Sequence, residues 1–147
     1  QATVERLADI ENIMRIKDAT GDVERGAKLI EAVKGRMSVL SGDDESALAL
    51  MRHGAKGNIS VTANVAPKIM SQSFGLALKG EFEQAEALNQ KIAHLHQDLF
   101  IESSPIPAKY ALHKMGHIEQ GIRLPLTWLT PEHQQVMDEA LSKAGLL

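Results

Sequence analysis

The sequence predicts an α/β fold: three βα units in the order β-α-β-α-β-α, followed by an appended run of helices. Three observations carry this reading. Short apolar segments at 12–18, 38–41 and 58–62 each precede a stretch with helical spacing. Turn-forming Gly, Asp and Asn residues punctuate them. After residue 80 the strand-like segments stop and only helical periodicity remains. A repeated strand–helix order implies parallel strands joined by right-handed crossovers.

The opening residues, "ATVERLADIENI", read as a short helix running into a strand. The chain is therefore expected to begin in mid-fold, as a piece of something longer. The first strand spans Asn12 to Asp18. Asp22 is placed to cap the helix that follows, in which Val23, Ala27, Ile30 and Val33 recur at helical spacing before Gly35. The second strand, Ser38 to Ser41, leads to a helix capped by Asp43 or Asp44, carrying Ala47, Leu50 and Met51, and ending at Gly54. The third, "NISVT" at 58–62, has the β-branched content that strands favour. Its helix runs from Pro67 to Leu78 and stops at Gly80.

From Glu81 to Phe100, the residues Phe82, Ala85, Leu88, Ile92, Leu95 and Leu99 form one apolar stripe. This predicts one long helix with a core or subunit-packing face. "SSPIPAKYAL" is expected to run extended into a further helix. Pro105 and Pro107 should lie outside that helix, because each lacks an N–H and restrains the residue before it. The last helix opens at Thr130-Pro131 and closes near Gly145. The division is thus 1–80 for the βα units and 81–147 for the helical extension.

At 147 residues, 44% of them apolar and 24% charged, the chain is the size of one globular domain. A net charge of -3 argues against a nucleic-acid binder. No apolar run approaches the roughly 20 residues that span a bilayer. The chain has no cysteine, so it forms no disulfide and no thiolate metal site, which fits a cytoplasmic protein. Three parallel strands are too few for a closed barrel, which needs about 250 residues. The remaining strands must come from elsewhere.

The strand ends read "KDATGD", "SGDD" and "TANVAP". In α/β barrels and open α/β sheets, the C-terminal ends of strands carry the active site. Side chains alternate along a strand, so Arg15 and Lys17 share one face. If that face is the interior, burial disfavours the ammonium of Lys17. A neutral amine condenses with a ketone, and the resulting iminium acts as an electron sink. The plainer alternative is a lysine that reaches solvent or pairs with Asp43. His94 and His96, two apart, do not face one another on a helix. His113 and His117 have the spacing of a zinc-binding pair but no evident third ligand. Capping is the simpler account of Asp43 and Asp44, and "GDVERG" and "SGDD" lack the pattern of phosphate loops. No metal site is expected.

The segments "IKDATGD" (16–22), "LSGDD" (40–44), "ISVTANVAP" (59–67), "ALN" (87–89), "PIPAKYAL" (105–112), "RLPLT" (123–127) and the final "AGLL" occur in an order and spacing that resembles the dihydrodipicolinate synthase family. The resemblance covers essentially the whole chain and corresponds to the C-terminal half of that enzyme. It implies the C-terminal part of a (β/α)8 TIM barrel plus a C-terminal helical extension, in a homo-oligomer, tetramer or dimer. It implies condensation of pyruvate with aspartate semialdehyde on the route to lysine and diaminopimelate. No cofactor is implied, the covalent Schiff base forming on Lys17. By the family pattern Gly42 lines the pyruvate site through its backbone, and Ile59 presents a carbonyl near the reacting carbons. The family's proton-relay tyrosine, its threonine partner, the tyrosine lent by a neighbouring subunit and the arginine that holds the semialdehyde belong to the N-terminal half. That half is the partner this chain requires.

The chain departs from the family pattern at Arg15, where a small residue is usual, at Asn58, and at Ser104. An interior guanidinium at Arg15 needs a partner or costs several kcal/mol. Relatives such as N-acetylneuraminate lyase share the barrel and lysine but differ at "ISVTANVAP". Two other readings compete: a piece that keeps fold elements without activity, and an interaction module acting through the stripe of 82–99.

Overall fold

The computed structural model describes all 147 residues. The order of elements is α1 (Ala2–Leu7), β1 (Arg15–Asp18), α2 (Val23–Ala32), β2 (Ser38–Ser41), α3 (Ala47–Arg52), a 3-10 turn (Thr62–Asn64), α4 (Pro67–Leu78), α5 (Phe82–Asn89), α6 (Leu95–Asp98), α7 (Ile106–Lys114) and α8 (Pro131–Lys143). The strands β1 and β2 are parallel, with Arg15 opposite Ser38, Lys17 opposite Leu40 and Asp18 opposite Ser41.

The first strand is shorter than its apolar content predicts. Residues 10–13 close a turn, the Ile13 N–H donating to the Ile10 carbonyl at 2.9 Å, and pairing with β2 begins only at Met14. The predicted third strand contracts to a single bridge between Ser41 and Asn58. Ser41 donates to Gly57 O (2.9 Å) and Ile59 donates to Ser41 O (2.8 Å). Beyond that point β2 has ended, and the chain winds into the 3-10 turn at Thr62–Asn64. Propensity favours an extended backbone, but hydrogen-bond partners make a strand.

The helices follow their local signals closely. Asp22 accepts the Arg25 N–H and caps α2. Gly35, Gly54 and Gly80 adopt positive φ after α2, α3 and α4, where a side chain would be strained. Asp43 does not cap α3 directly. Its Oδ2 accepts the backbone N–H of Ser46 at 2.9 Å and fixes the turn that enters the helix. Asp44 does something else, described below.

The chain forms two compact units: residues Gln1–Ser60 with Ser73–Glu86, and residues Val61–Gln72 with Ala87–Leu147. Both α4 and α5 pass from one unit to the other. In the first unit, one apolar cluster joins Leu29, Val33, Met37 and Val39 beside β1 and β2. A second joins Leu48, Leu50, Met51, Ala55, Ala77 and Ala85. In the second unit, α8 packs on α6 and α7, and Ile92, Leu95, Leu99, Ala111, Met137 and Leu141 are fully buried there.

Two helical expectations need correction in this region. The stripe from Phe82 to Leu99 is not one helix. It is α5, a run of turns, and α6, in which Lys91, Ile92 and Leu95 donate three residues back rather than four. The tighter winding still buries Ile92, Leu95 and Leu99, so the apolar spacing survives while the helix does not. Pro107 lies inside α7, in its first turn. A missing N–H costs nothing there, because first-turn N–H groups have no partner within the helix.

Candidate active site at the strand ends

The first unit brings Lys17, Gly42 and Ile59 to the C-terminal ends of adjacent extended segments. Alternation divides the sheet. Ile16, Asp18, Val39 and Ser41 point to the covered face, and Val39, Asp18 and Ser41 are buried. Arg15, Lys17 and Leu40 point the other way. Arg15 and Lys17 are both exposed and neither forms an ion pair. The burial expected around Lys17 is therefore not supplied by this chain, because no element of it covers that face of the sheet. For the same reason Arg15 bears no desolvation cost here. The alternative pairing of Lys17 with Asp43 is also absent. The Asp43 carboxylate is occupied by the Ser46 hydroxyl, 2.5 Å away, and by the Ser46 N–H.

The backbone around Lys17 is held firmly. Asp18, the next residue, turns into the covered face with its side chain 4% exposed. Its Oδ1 accepts the Thr20 hydroxyl (2.8 Å) and the Thr20 N–H (3.2 Å). Its Oδ2 pairs with Arg25 Nη1 at 2.7 Å. Arg25 is also the residue whose N–H Asp22 caps. One carboxylate thus ties the strand end to the first turn of α2. The signal for this was present in the sequence: Asp followed by Thr two residues later is a side-chain turn. The arginine is not found that way, since it meets Asp18 only once the helix has folded back.

Gly42 follows β2 and donates its N–H to the Asp18 carbonyl at 2.8 Å, extending the parallel pairing past the strand. The alkyl stem of Lys17 lies directly on its Cα. A Cβ at this position would overlap Lys17 Cε and stand 2.8 Å from Lys17 Cγ. Ile59 stands beside Ser41 through its N–H, and the residue is 47% exposed. Alternation from Asn58 places it on the Lys17 side of the sheet. On the covered side, Asn58 Nδ2 donates to Asp44 Oδ1 at 2.6 Å, while Asn58 Oδ1 is buried without a partner. Asp44, expected as a cap, is instead a buried acceptor that holds the third segment in place.

The other candidates separate from this site. In the second unit His96 is buried. Its Nδ1 meets Thr62 Oγ1 at 2.9 Å and its Nε2 meets Asn89 Oδ1 at 3.1 Å. Partners 34 and 7 residues away leave no local sequence signal. His94 Nε2 donates to the Ala140 carbonyl at 2.9 Å. His113 and His117 do not form a ligand pair: α7 ends at Lys114, Gly116 adopts positive φ, and His113 Nδ1 donates to Ile118 O at 3.2 Å. Glu102, Thr130 and His133 cluster, but not as a proton relay. Glu102 Oε1 accepts the Thr130 N–H and hydroxyl, at 3.0 and 2.7 Å, and His133 Nδ1 at 2.7 Å. The hydroxyl and the carboxylate therefore share one ring nitrogen, whereas a relay uses both. The hydrogen bond from His133, and then those from Thr130, hold the Glu102 carboxyl below its ordinary value.

Comparison with known proteins shows what the chain is similar to. The model of the dihydrodipicolinate synthetase family matches residues 1–144. The 4-hydroxy-tetrahydrodipicolinate synthase of Psychrobacter arcticus is 63% identical over 147 residues, which is 100% of this chain and 49% of that protein. That of Pseudomonas aeruginosa is 52% identical over 145 residues, covering 99% of this chain and 50% of that protein. Among solved structures, the chloride-inhibited dihydrodipicolinate synthase of Acinetobacter baumannii, complexed with pyruvate, superposes with a TM-score of 0.97 at 56% identity, over 99% of this chain and 50% of that one. The enzyme of Aquifex aeolicus superposes with a TM-score of 0.94 at 38% identity, over 99% of this chain and 50% of that one. This chain spans about half the length of the curated relatives it matches.

Proposed function

Because this chain belongs to the dihydrodipicolinate synthetase family, we propose that it supplies the nucleophile of a synthase condensing pyruvate with aspartate semialdehyde, giving 4-hydroxy-tetrahydrodipicolinate. On this reading residues 1–80 are the last βα units of the barrel and residues 81–147 its C-terminal extension. The other barrel half completes the site, in a cytoplasmic homo-oligomer. The observation that carries the reading is Lys17 at the C-terminal end of β1, its stem lying on Gly42 and its backbone locked through Asp18.

The chemistry follows from the amine. A neutral Lys17 Nζ attacks the ketone carbon of pyruvate, and loss of water leaves an imine. Protonated, the imine draws electrons from the adjacent methyl carbon, which gives up a proton and becomes an enamine carbon. That carbon attacks the aldehyde of the second substrate and forms the new carbon–carbon bond. The lysine is regenerated when the product amine displaces it. No cofactor enters this sequence, since the covalent imine is itself the electron sink. Gly42 and Ile59 offer backbone groups to pyruvate on the same side of the sheet. The acid–base partners belong to the other half.

The test is covalent trapping. The protein in which this chain is joined to the remaining barrel half is incubated with pyruvate and borohydride. The expected result is one reduced pyruvyl adduct, located on Lys17 by peptide mass and lost in Lys17→Ala. A folded protein without that adduct would overturn the reading.

A further inference from the structure

We propose that Gly42 is a positioning residue for Lys17: its missing side chain forms the seat across which the lysine stem reaches the substrate. This rests on the reading of Lys17 as the nucleophile and goes beyond a backbone contact to pyruvate.

A glycine is required either where φ is positive or where another group approaches the backbone closely. Gly42 is not among the glycines of positive φ, so its backbone conformation suits any residue. Close approach is the remaining reason. A Cβ on Gly42 would overlap Lys17 Cε and stand 2.8 Å from Lys17 Cγ and 2.7 Å from Ala19 Cβ. Carbon atoms in favourable contact sit about 3.5–4.0 Å apart. Gly26 is also crowded, but by the single atom Leu50 Cδ1 at 2.5 Å, a core contact between α2 and α3.

The strand ends cannot give way to relieve the overlap. The Gly42 N–H is bonded to the Asp18 carbonyl, and the Asp18 side chain is held by Thr20 and Arg25. Of the crowding atoms, those of the lysine stem are the flexible ones, so a methyl group at 42 turns the stem aside and moves Nζ by an amount on the order of 1 Å, while the contact with Ala19 Cβ remains. A displacement of that size costs about 100-fold in a reaction that depends on alignment.

The experiment uses the protein joined to its other barrel half and four forms: wild type, Gly42→Ala, Lys17→Ala and the double variant. Gly42→Ala is expected to slow borohydride-trappable adduct formation about 100-fold. Non-covalent pyruvate binding, measured by calorimetry, is expected to be the same in the double variant as in Lys17→Ala. Removing the stem should also relieve most of the thermal destabilisation caused by Gly42→Ala, the contact with Ala19 Cβ accounting for the rest. An unchanged trapping rate would overturn the proposal. So would a loss of pyruvate affinity in the double variant, since the added methyl would then meet substrate rather than lysine. If Gly42→Ala does not fold, folding of the double variant supports the proposal. Failure of both overturns it, because the clash then lies with Ala19 or the backbone. Wild type that forms no adduct would sink the Schiff-base reading instead, while the stability coupling still reports whether the stem occupies the seat.

Discussion

Asp18 shows how a single side chain controls the neighbourhood of Lys17. It accepts two hydrogen bonds from Thr20 and one from Arg25 while almost wholly buried. Hydrogen bonds to a charged group contribute more than neutral ones, so Asp18→Ala should lower the unfolding free energy by about 2 kcal/mol in urea titrations. Arg25 is 42% exposed and returns to solvent, which keeps the loss moderate. Tyr110 makes a complementary case in the second unit. Burial, and then its hydrogen bond to Asp138 Oδ1 (2.8 Å), raise its phenol from 10.0 to about 12. The neutral phenol is the form the fold favours. Its contribution to stability is complete below pH 10 and is lost as pH rises from there through 12. Absorbance titration of the folded protein should place phenolate formation near pH 12. Asp138→Asn should bring it only part of the way back, since burial is the larger cause.

At the scale of elements, the glycine stops and the cap at Asp22 were legible, while the caps expected at Asp43 and Asp44 and the more distant partners were not. Asp22, Gly35, Gly54, Gly80 and Pro131 act where their chemistry says they should. Replacing the cap, Asp22→Ala, should cost about 1 kcal/mol and show as a lower melting temperature with the same unfolded baseline. The failures share one cause. Residues 58–62 have strand propensity, but their strand pairing with β2 is the single bridge of Asn58 to Ser41. The stripe of 82–99 has helical spacing, yet the turns between α5 and α6 satisfy the same burial with tighter bonds. Apolar periodicity reports which residues face a core. It does not report which hydrogen bonds the intervening backbone makes.

At the scale of the molecule, the sheet of the first unit consists of β1 and β2, with β1 at its edge. Met14 at the start of this edge is 66% exposed. Unpaired strand edges recruit other chains. The 147-residue chain alone is therefore expected to self-associate, seen as concentration-dependent mass in light scattering, and joining it to the rest of the barrel should replace this with an oligomer of fixed mass. A monodisperse monomer at high concentration would contradict this.

The sequence by itself determined the first two βα units and their parallel pairing, the helix start at Asp22 and the stops at Gly35, Gly54 and Gly80, and the family, because these depend on residue spacing and short-range hydrogen bonds. Only the tertiary structure decided the rest. It replaced the caps expected at Asp43 and Asp44 with a turn and a buried clamp on Asn58. It buried His96 between Thr62 and Asn89, and it laid the stem of Lys17 on Gly42. Apart from the Asp43 turn and the contact of Asn89 with His96, these join groups far apart in the chain, and whether two such groups meet depends on how the backbone packs, a quantity no local pattern encodes.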